Sequence, residues 1–361
     1  MRKLFIIPFL FLFCALTFSQ SPQKSPNNYK VFHTSVCFDL LSSFASYEEL
    51  LEHSFFEHSL AKDSVFISEV QTINDKIRPS NICNFYASLP TNKDDIDTCL
   101  AFFLSVKQKD IPDKWQGKYI ENVFSVLPQI QNCIRKLIDA GFEQFWEQHI
   151  FPKLENAIVG FSFKDGILDQ IHSELIKMSG NGKLNEEYSK IYILDIDNAF
   201  SLNDETFCCT YLLLDKELAE KYRINFIQVY IHENLHRLYL SKDLMNNLED
   251  LFEKDPFFNK NESIARNYGE GQNEAFIVAA ECYISRKLGL KTDNDVFVEF
   301  SEYVDGSLVL APIIYNYLSK KKDKESMNDF ISKLFKTKKI KAGKIEKQYK
   351  LAMKQIKAKA M

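Results

Sequence analysis

The segment FIQVYIHENLHRLYL, residues 226–240, constrains this chain more than any other stretch of it. Its apolar residues recur at three- and four-residue steps, the period of a buried helix, yet it also carries His232, Glu233 and His236. Two imidazoles and a carboxylate inside such a helix need partners. Residues four apart on a helix lie about 40° apart around the axis and about 6 Å along it, so His232 and His236 can each offer a nitrogen to one metal ion. Glu233 sits one step round from His232, where its carboxylate can meet a metal-bound water without being a ligand. That division of labour is the physical content of the HExxH pattern. The competing reading is a pair of core histidines hydrogen-bonded to backbone or carboxylates.

A metal site open to catalysis has three protein ligands and a water. Tyr239 and Lys242 occupy the glycine and third-histidine positions of the longer HExxHxxGxxH pattern, so the third ligand must come from elsewhere. Gly269 and Gly271 lead into a second helical stretch, residues 273–288, which Gly289 is expected to end. Glu274 falls in its first turn, where the helix dipole favours a carboxylate, and is the expected third ligand. Glu281, seven residues on and on the same face, is the alternative ligand or a hydrogen-bond partner for a ligating histidine. The remainder of that helix is apolar nearly all round, which argues that both carboxylates are buried. Tyr268, Tyr283 and Arg266 are nearby donors in sequence, with no motif behind them.

HENLH at 232–236 together with Asn273-Glu274-Ala275 resembles the gluzincins, the thermolysin-like superfamily of HExxH zinc metallopeptidases. The resemblance departs from the family pattern at Val278, which stands where an acidic residue is usual. It implies Zn2+ held by His232, His236 and Glu274, with Glu233 as general base and a peptide or protein as substrate. It also implies a zincin-like region, with a small sheet packed on the HExxH helix and the substrate backbone along an edge strand at residues 207–214.

Elsewhere the pattern predicts an α+β chain, predominantly helical. Residues 31–175 show repeated helical periodicity, whereas 190–196 (KIYILDI) and 207–214 (FCCTYLLL) suit strands. Asp215 and Asn225 are the expected caps of the next two helices. The paired Cys208 and Cys209 should point to opposite faces of a strand, one buried and one half-exposed. The expected division is a leader at 1–20, a helical region at 21–182, a catalytic region at 183–318 and a Lys-rich helical tail at 319–361.

The leader reads as a signal peptide. Arg2 and Lys3 precede an apolar run over residues 4–18, and Thr17-Phe18-Ser19 is a small-x-small cleavage signal, which implies a secreted or periplasmic protein. The run is too short to span a bilayer, and no later stretch is long and charge-free enough. Removal of the leader leaves seven cysteines, an odd number without a CxxC pair, so disulfides and buried thiols both stay open. The formal charge is -4, yet residues 320–361 hold 15 Lys against Asp323, Glu325, Asp329 and Glu346. A detachable basic tail on an acidic body is expected, either solvated or bound to an anionic polymer, a membrane surface or the acidic body itself, with no specific nucleic-acid site. Besides a peptidase, the sequence admits a hydrolase of another amide, an inactive zincin, and a non-enzymatic envelope interaction protein. The intact Glu233 counts against lost activity.

Overall fold

The computed structural model describes residues 31–87, 94–111, 118–161, 166–180, 190–196, 199–202, 206–221, 225–236, 238, 241–268, 270 and 273–361. The expected leader at 1–20 lies outside the described residues, as do Tyr239, Gly269 and Gly271. The fold is α+β and mostly helical, with one four-stranded mixed sheet.

That sheet consists of β1 (Phe32–His33), β2 (Lys190–Leu194), β3 (Ala199–Leu202) and β4 (Thr206–Thr210), in the order β1-β2-β4-β3. β1 and β4 run parallel to β2, and β3 is antiparallel to β4. β4 is therefore an inner strand, paired on both sides, and β3 forms the edge. Residues 211–214 leave the sheet as a 3-10 turn, with the Thr210 hydroxyl accepting the Leu212 N–H. The edge expected at 207–214 is thus moved to 199–202, because the short antiparallel return of β3 covers the backbone groups of β4.

Both faces of the sheet are covered, and this decides the cysteine pair. Phe207 points to one face, where its ring meets Phe226 and Tyr230 at 6.1 and 6.0 Å. On the other, Tyr192 packs edge-on against Phe38 at 5.0 Å. Cys208 and Cys209 take opposite faces and are both fully buried, so the expected half-exposed thiol is absent. Near-continuous apolar strands are what a sheet sandwiched between helices requires. All seven described cysteines are free and buried.

Nine helices position the site and its supports. They are α1 (Val36–Ser42), α2 (Ile167–Ser179), α3 (Phe226–Leu235), α4 (Pro256–Asn267), α5 (Glu274–Lys287), α6 (Asp293–Glu302), α7 (Leu310–Leu318), α8 (Met327–Lys336) and α9 (Ile345–Ala360). The caps expected at Asp215 and Asn225 are present: Asp215 Oδ1 accepts the N–H groups of Glu217 and Leu218, and Asn225 Oδ1 accepts that of Ile227.

The boundary expected at 182–183 falls outside the described residues, and strong links join what lies on either side of it. β1 pairs with β2, and the Asp39 carboxylate of α1 accepts the Asp195 N–H at 2.8 Å and the Trp146 indole N–H at 2.7 Å. Glu174 of α2 pairs with Lys287 of α5 at 2.7 Å. Gly180, which ends α2 at φ 79°, packs so closely on the backbone of Ser326 that an added Cβ would lie 2.6 Å from its Cα.

Residues 319–361 are largely helical, but the picture of a detachable tail gives way to a docked one. Ile345, Ala352 and Ile356 are buried, and α9 packs against α4, α6 and α7. Asp255 Oδ2 accepts the N–H groups of Gly343 and Ile345 at 2.7 and 3.3 Å. The lysines of α9 lie on its outer face, the usual arrangement of an amphipathic surface helix. Among the described residues, no helix is long and apolar enough to cross a membrane.

Candidate metal centre

α3 is held to the sheet by its aromatic face. Phe226 meets Phe32 and Phe161, each at 5.5 Å, and stacks with Tyr230 at 6.0 Å. Its other face carries Gln228, Val229, His232 and Glu233, which line a cleft of about 460 Å³. The helical hydrogen bonding runs on through His236, whose N–H donates to the His232 carbonyl at 3.3 Å. This keeps the two histidines one turn apart with their rings 4.9 Å from each other.

α5 packs across α3 and brings Glu274 beneath both rings from its first turn. His232 Nε2 lies 3.1 Å from His236 Nε2 and 3.2 Å from Glu274 Oε1, and His236 Nε2 lies 3.5 Å from Glu274 Oε2. Glu274 is only 1% exposed, while both histidines are half-buried, His232 at the wall of the cleft. Together these three residues form a group that could hold a metal ion.

The surrounding charges oppose the cost of burial. Burial alone would lower the His232 imidazole, but the hydrogen bond and charge of Glu274, with Glu233 and Glu281 behind it, raise its pKa to about 8. His236 moves the other way, lowered by burial and by His232. Burial would raise the Glu274 carboxyl, and its contacts with His232, His236 and Tyr303 more than offset that and hold it below its ordinary value.

Glu281 is placed elsewhere. It shares α5 with Glu274 and is buried, but its oxygens are occupied: the Ser285 hydroxyl donates to Oε1 at 2.6 Å, and Lys291 Nζ donates to Oε2 at 2.8 Å. It acts on His232 through its charge, and Glu274 is the carboxylate that joins the histidines. The nearby donors also go to other tasks. Tyr268 is exposed and donates to Asp305 at 2.5 Å, Arg266 pairs with Glu262 and Glu249, and Tyr283 packs on Tyr315.

Tyr303 was missed by the sequence reading. It lines the cleft, and its hydroxyl donates to Glu274 Oε1 at 3.2 Å and lies 3.5 Å from Glu270 Oε1. Burial and the charges of Glu274 and Glu270 raise its pKa above the ordinary tyrosine value. Directly after it, Val304 and Asp305 take left-handed backbone at φ 51° and 55°, a conformation that disfavours a β-branched residue by roughly 1–2 kcal/mol. Such strain persists where the surroundings enforce it, and here it turns the chain sharply behind Tyr303. The Asp305-Gly306 pair marks a turn in the sequence, but says nothing of what the preceding tyrosine reaches. Comparison with protein-family models, with curated proteins and with solved structures finds no match for this chain.

Proposed function

We propose that the protein is a zinc-dependent hydrolase, a secreted peptidase with a zincin-like catalytic region. The observation that carries this reading is the spacing of the three donors. Zinc bonds of 2.0–2.2 Å in a tetrahedral site separate neighbouring donor atoms by roughly 3.3–3.6 Å. The donor separations here, 3.1, 3.2 and 3.5 Å, come within about 0.2 Å of that range and are made by two imidazole nitrogens and a carboxylate, the donor types zinc accepts. The small sheet against α3 and the third ligand from a later helix agree with the zincin arrangement. The leader-like first 20 residues support export.

Bound zinc would polarise a substrate carbonyl and lower the pKa of water to about 7. The chain's own residues account for the rest. Glu233 faces the same cleft one residue from a ligand, where its carboxylate can take the proton of the attacking water and deliver it to the leaving nitrogen. Tyr303 orients Glu274 by its hydrogen bond. The cleft gives substrate a path to the donors, and the apolar packing behind α3 keeps the two histidines in register.

Elemental analysis with a cleavage assay on an unstructured protein tests the reading. Wild type is expected to carry about one zinc per chain and to cleave. Glu274→Gln should lose metal, whereas Glu233→Gln should keep it and lose turnover. Cleavage retained in Glu233→Gln overturns the general-base role, and undiminished metal in Glu274→Gln overturns the ligand assignment. A wild type that takes up no metal leaves the interaction-protein reading in its place.

A further inference from the structure

The docking of α9 fixes which of its sides is available. Ile345, Ala352 and Ile356 are buried against the body, and Tyr349 and Met353 are half-buried beside them, with the Tyr349 ring 5.9 Å from that of Phe257. At about 100° per residue, the opposite direction is that of Lys347, Lys350, Leu351, Lys354, Lys357 and Ala358. All six are exposed. They form a stripe about 16 Å long, and Lys341 and Lys344, also exposed, lead into it.

Composition leaves three partners open for this charge: the acidic body, an anionic polymer and a membrane surface. The body is met through the apolar side of α9 and through Asp255, whose carboxylate takes two backbone N–H groups and no lysine of the stripe. Lys350 pairs with Glu346 one turn back on the same helix, an exposed pair of the kind that contributes little. Lys357 lies over the Phe297 ring at 5.7 Å, which leaves its charge in place, and Asp293 of α6 is held by Arg286 at 2.8 Å. A phosphate polymer is typically gripped by arginine forks and stacked on exposed aromatic rings. Residues 287–361 contain no Arg, and Phe330, Phe335 and Tyr349 of α8 and α9 are buried or half-buried. Lysines are point charges on flexible stems and suit a diffuse plane of negative charge. Leu351, 55% exposed, sits among them, an apolar contact for the boundary between headgroups and acyl chains.

We infer that the outer stripe of α9 is a membrane-docking surface that seats the protein on an anionic phospholipid bilayer, with Lys347, Lys350, Lys354 and Lys357 at the headgroups and Leu351 between them. The attachment is peripheral, since among the described residues no helix is long and apolar enough to cross a membrane. Each lysine close to such a surface strengthens binding roughly fivefold, an effect that fades beyond a Debye length of about 10 Å at 0.1 M salt. The apolar side of α9 stays on α4, α6 and α7, so docking needs no rearrangement of the fold. The metal centre takes no part in it.

Cosedimentation of the full chain with vesicles tests this, using pure phosphatidylcholine and phosphatidylcholine with about 30% phosphatidylglycerol. Binding to the anionic vesicles should exceed binding to the neutral ones about tenfold or more at low salt and fall as salt is raised. The double variant Lys347→Gln with Lys354→Gln should lose about tenfold or more of the anionic binding. Leu351→Gln, which alters no charge, should weaken vesicle binding about threefold and leave binding to soluble polyphosphate unchanged. The apolar leader is common to every variant, so the differences report on the stripe. All three replaced side chains are exposed; should the double variant nonetheless lose its helical circular dichroism, Lys354→Gln alone, at about fivefold, decides. Equal binding to the two compositions, or an anionic preference unchanged in the lysine variants, overturns the inference. Polyphosphate binding that is lost in the lysine variants, without any preference for anionic vesicles, assigns the stripe to a soluble polyanion and overturns the bilayer assignment.

Discussion

The Tyr303 hydroxyl donates to Oε1 of Glu274 at 3.2 Å, and that same oxygen lies 3.2 Å from Nε2 of His232. A residue 29 positions after the carboxylate thus fixes how it meets the histidines. Partners that orient a ligand typically contribute 10–100-fold in metal affinity. Tyr303→Phe, which keeps the ring and removes the hydroxyl, is expected to weaken zinc binding about tenfold in competition with a chromogenic chelator. An unchanged affinity would reduce the hydroxyl to space-filling.

Lys291 and Glu281 form a buried ion pair, each with a side chain 5% exposed. Removing one member leaves the other charged and unpaired, at a cost of about 3–5 kcal/mol. Lys291→Met should lower stability by this order in urea unfolding of the metal-free chain, where zinc cannot mask the loss. The double variant Lys291→Met with Glu281→Gln should recover part of it. Equal losses in the single and double variants would show that Glu281 is not the charge that Lys291 neutralises.

Asp39 supplies a pH dependence away from the metal centre. Burial raises its carboxyl to about 7, against the hydrogen bonds from Trp146 and the Asp195 N–H, and the charges of Asp195 and Asp94 push the same way as burial. Lys153, which lines the same pocket as Asp39 with Glu49, His53 and His149, is engaged with Asp195 at 2.9 Å. The native chain then holds a proton between about pH 4 and 7 that the unfolded chain has released. Stability from this group is full below about pH 4 and is lost as pH rises to about 7, at up to 1.36 kcal/mol per unit. Asp39→Asn should flatten the slope in that window. A slope that persists in the variant would assign the dependence to another group.

The site was legible in part because its first element is local. Spacing alone places His232, Glu233 and His236 on one helix, and the Gly-rich lead into a new helix drew attention to Glu274. The choice between Glu274 and Glu281 could not be made that way. Both sit on the same face of α5 and both are buried, and what separates them is that Lys291 and Ser285 occupy one while two histidines meet the other.

The strands show the same limit. KIYILDI and FCCTYLLL have the β-rich composition of strands, and their first parts form β2 and β4, whereas residues 211–214 leave the sheet as a 3-10 turn. Their order in the sheet is a non-local property. β4 becomes an inner strand because β3 turns back upon it, and the helical layer behind Tyr192 buries Cys208 while Cys209 faces the α3 side. The basic tail is a further case: its charge is plain in the composition, whereas its docking depends on Ile345, Ala352 and Ile356 meeting surfaces far away in the chain.

By itself, the sequence determined the periodic features: helical patterns, two strands, the caps at Asp215 and Asn225, and a pair of histidines one helical turn apart. Only the tertiary structure decided which carboxylate completes the donor set, that Tyr303 supports it, and that a cleft opens beside it. The physical reason is range. Helix period and capping act over a few residues and leave a pattern in the order of amino acids, whereas the contacts of Glu274 with His232 and Tyr303 arise from packing of separate helices, which no local pattern encodes.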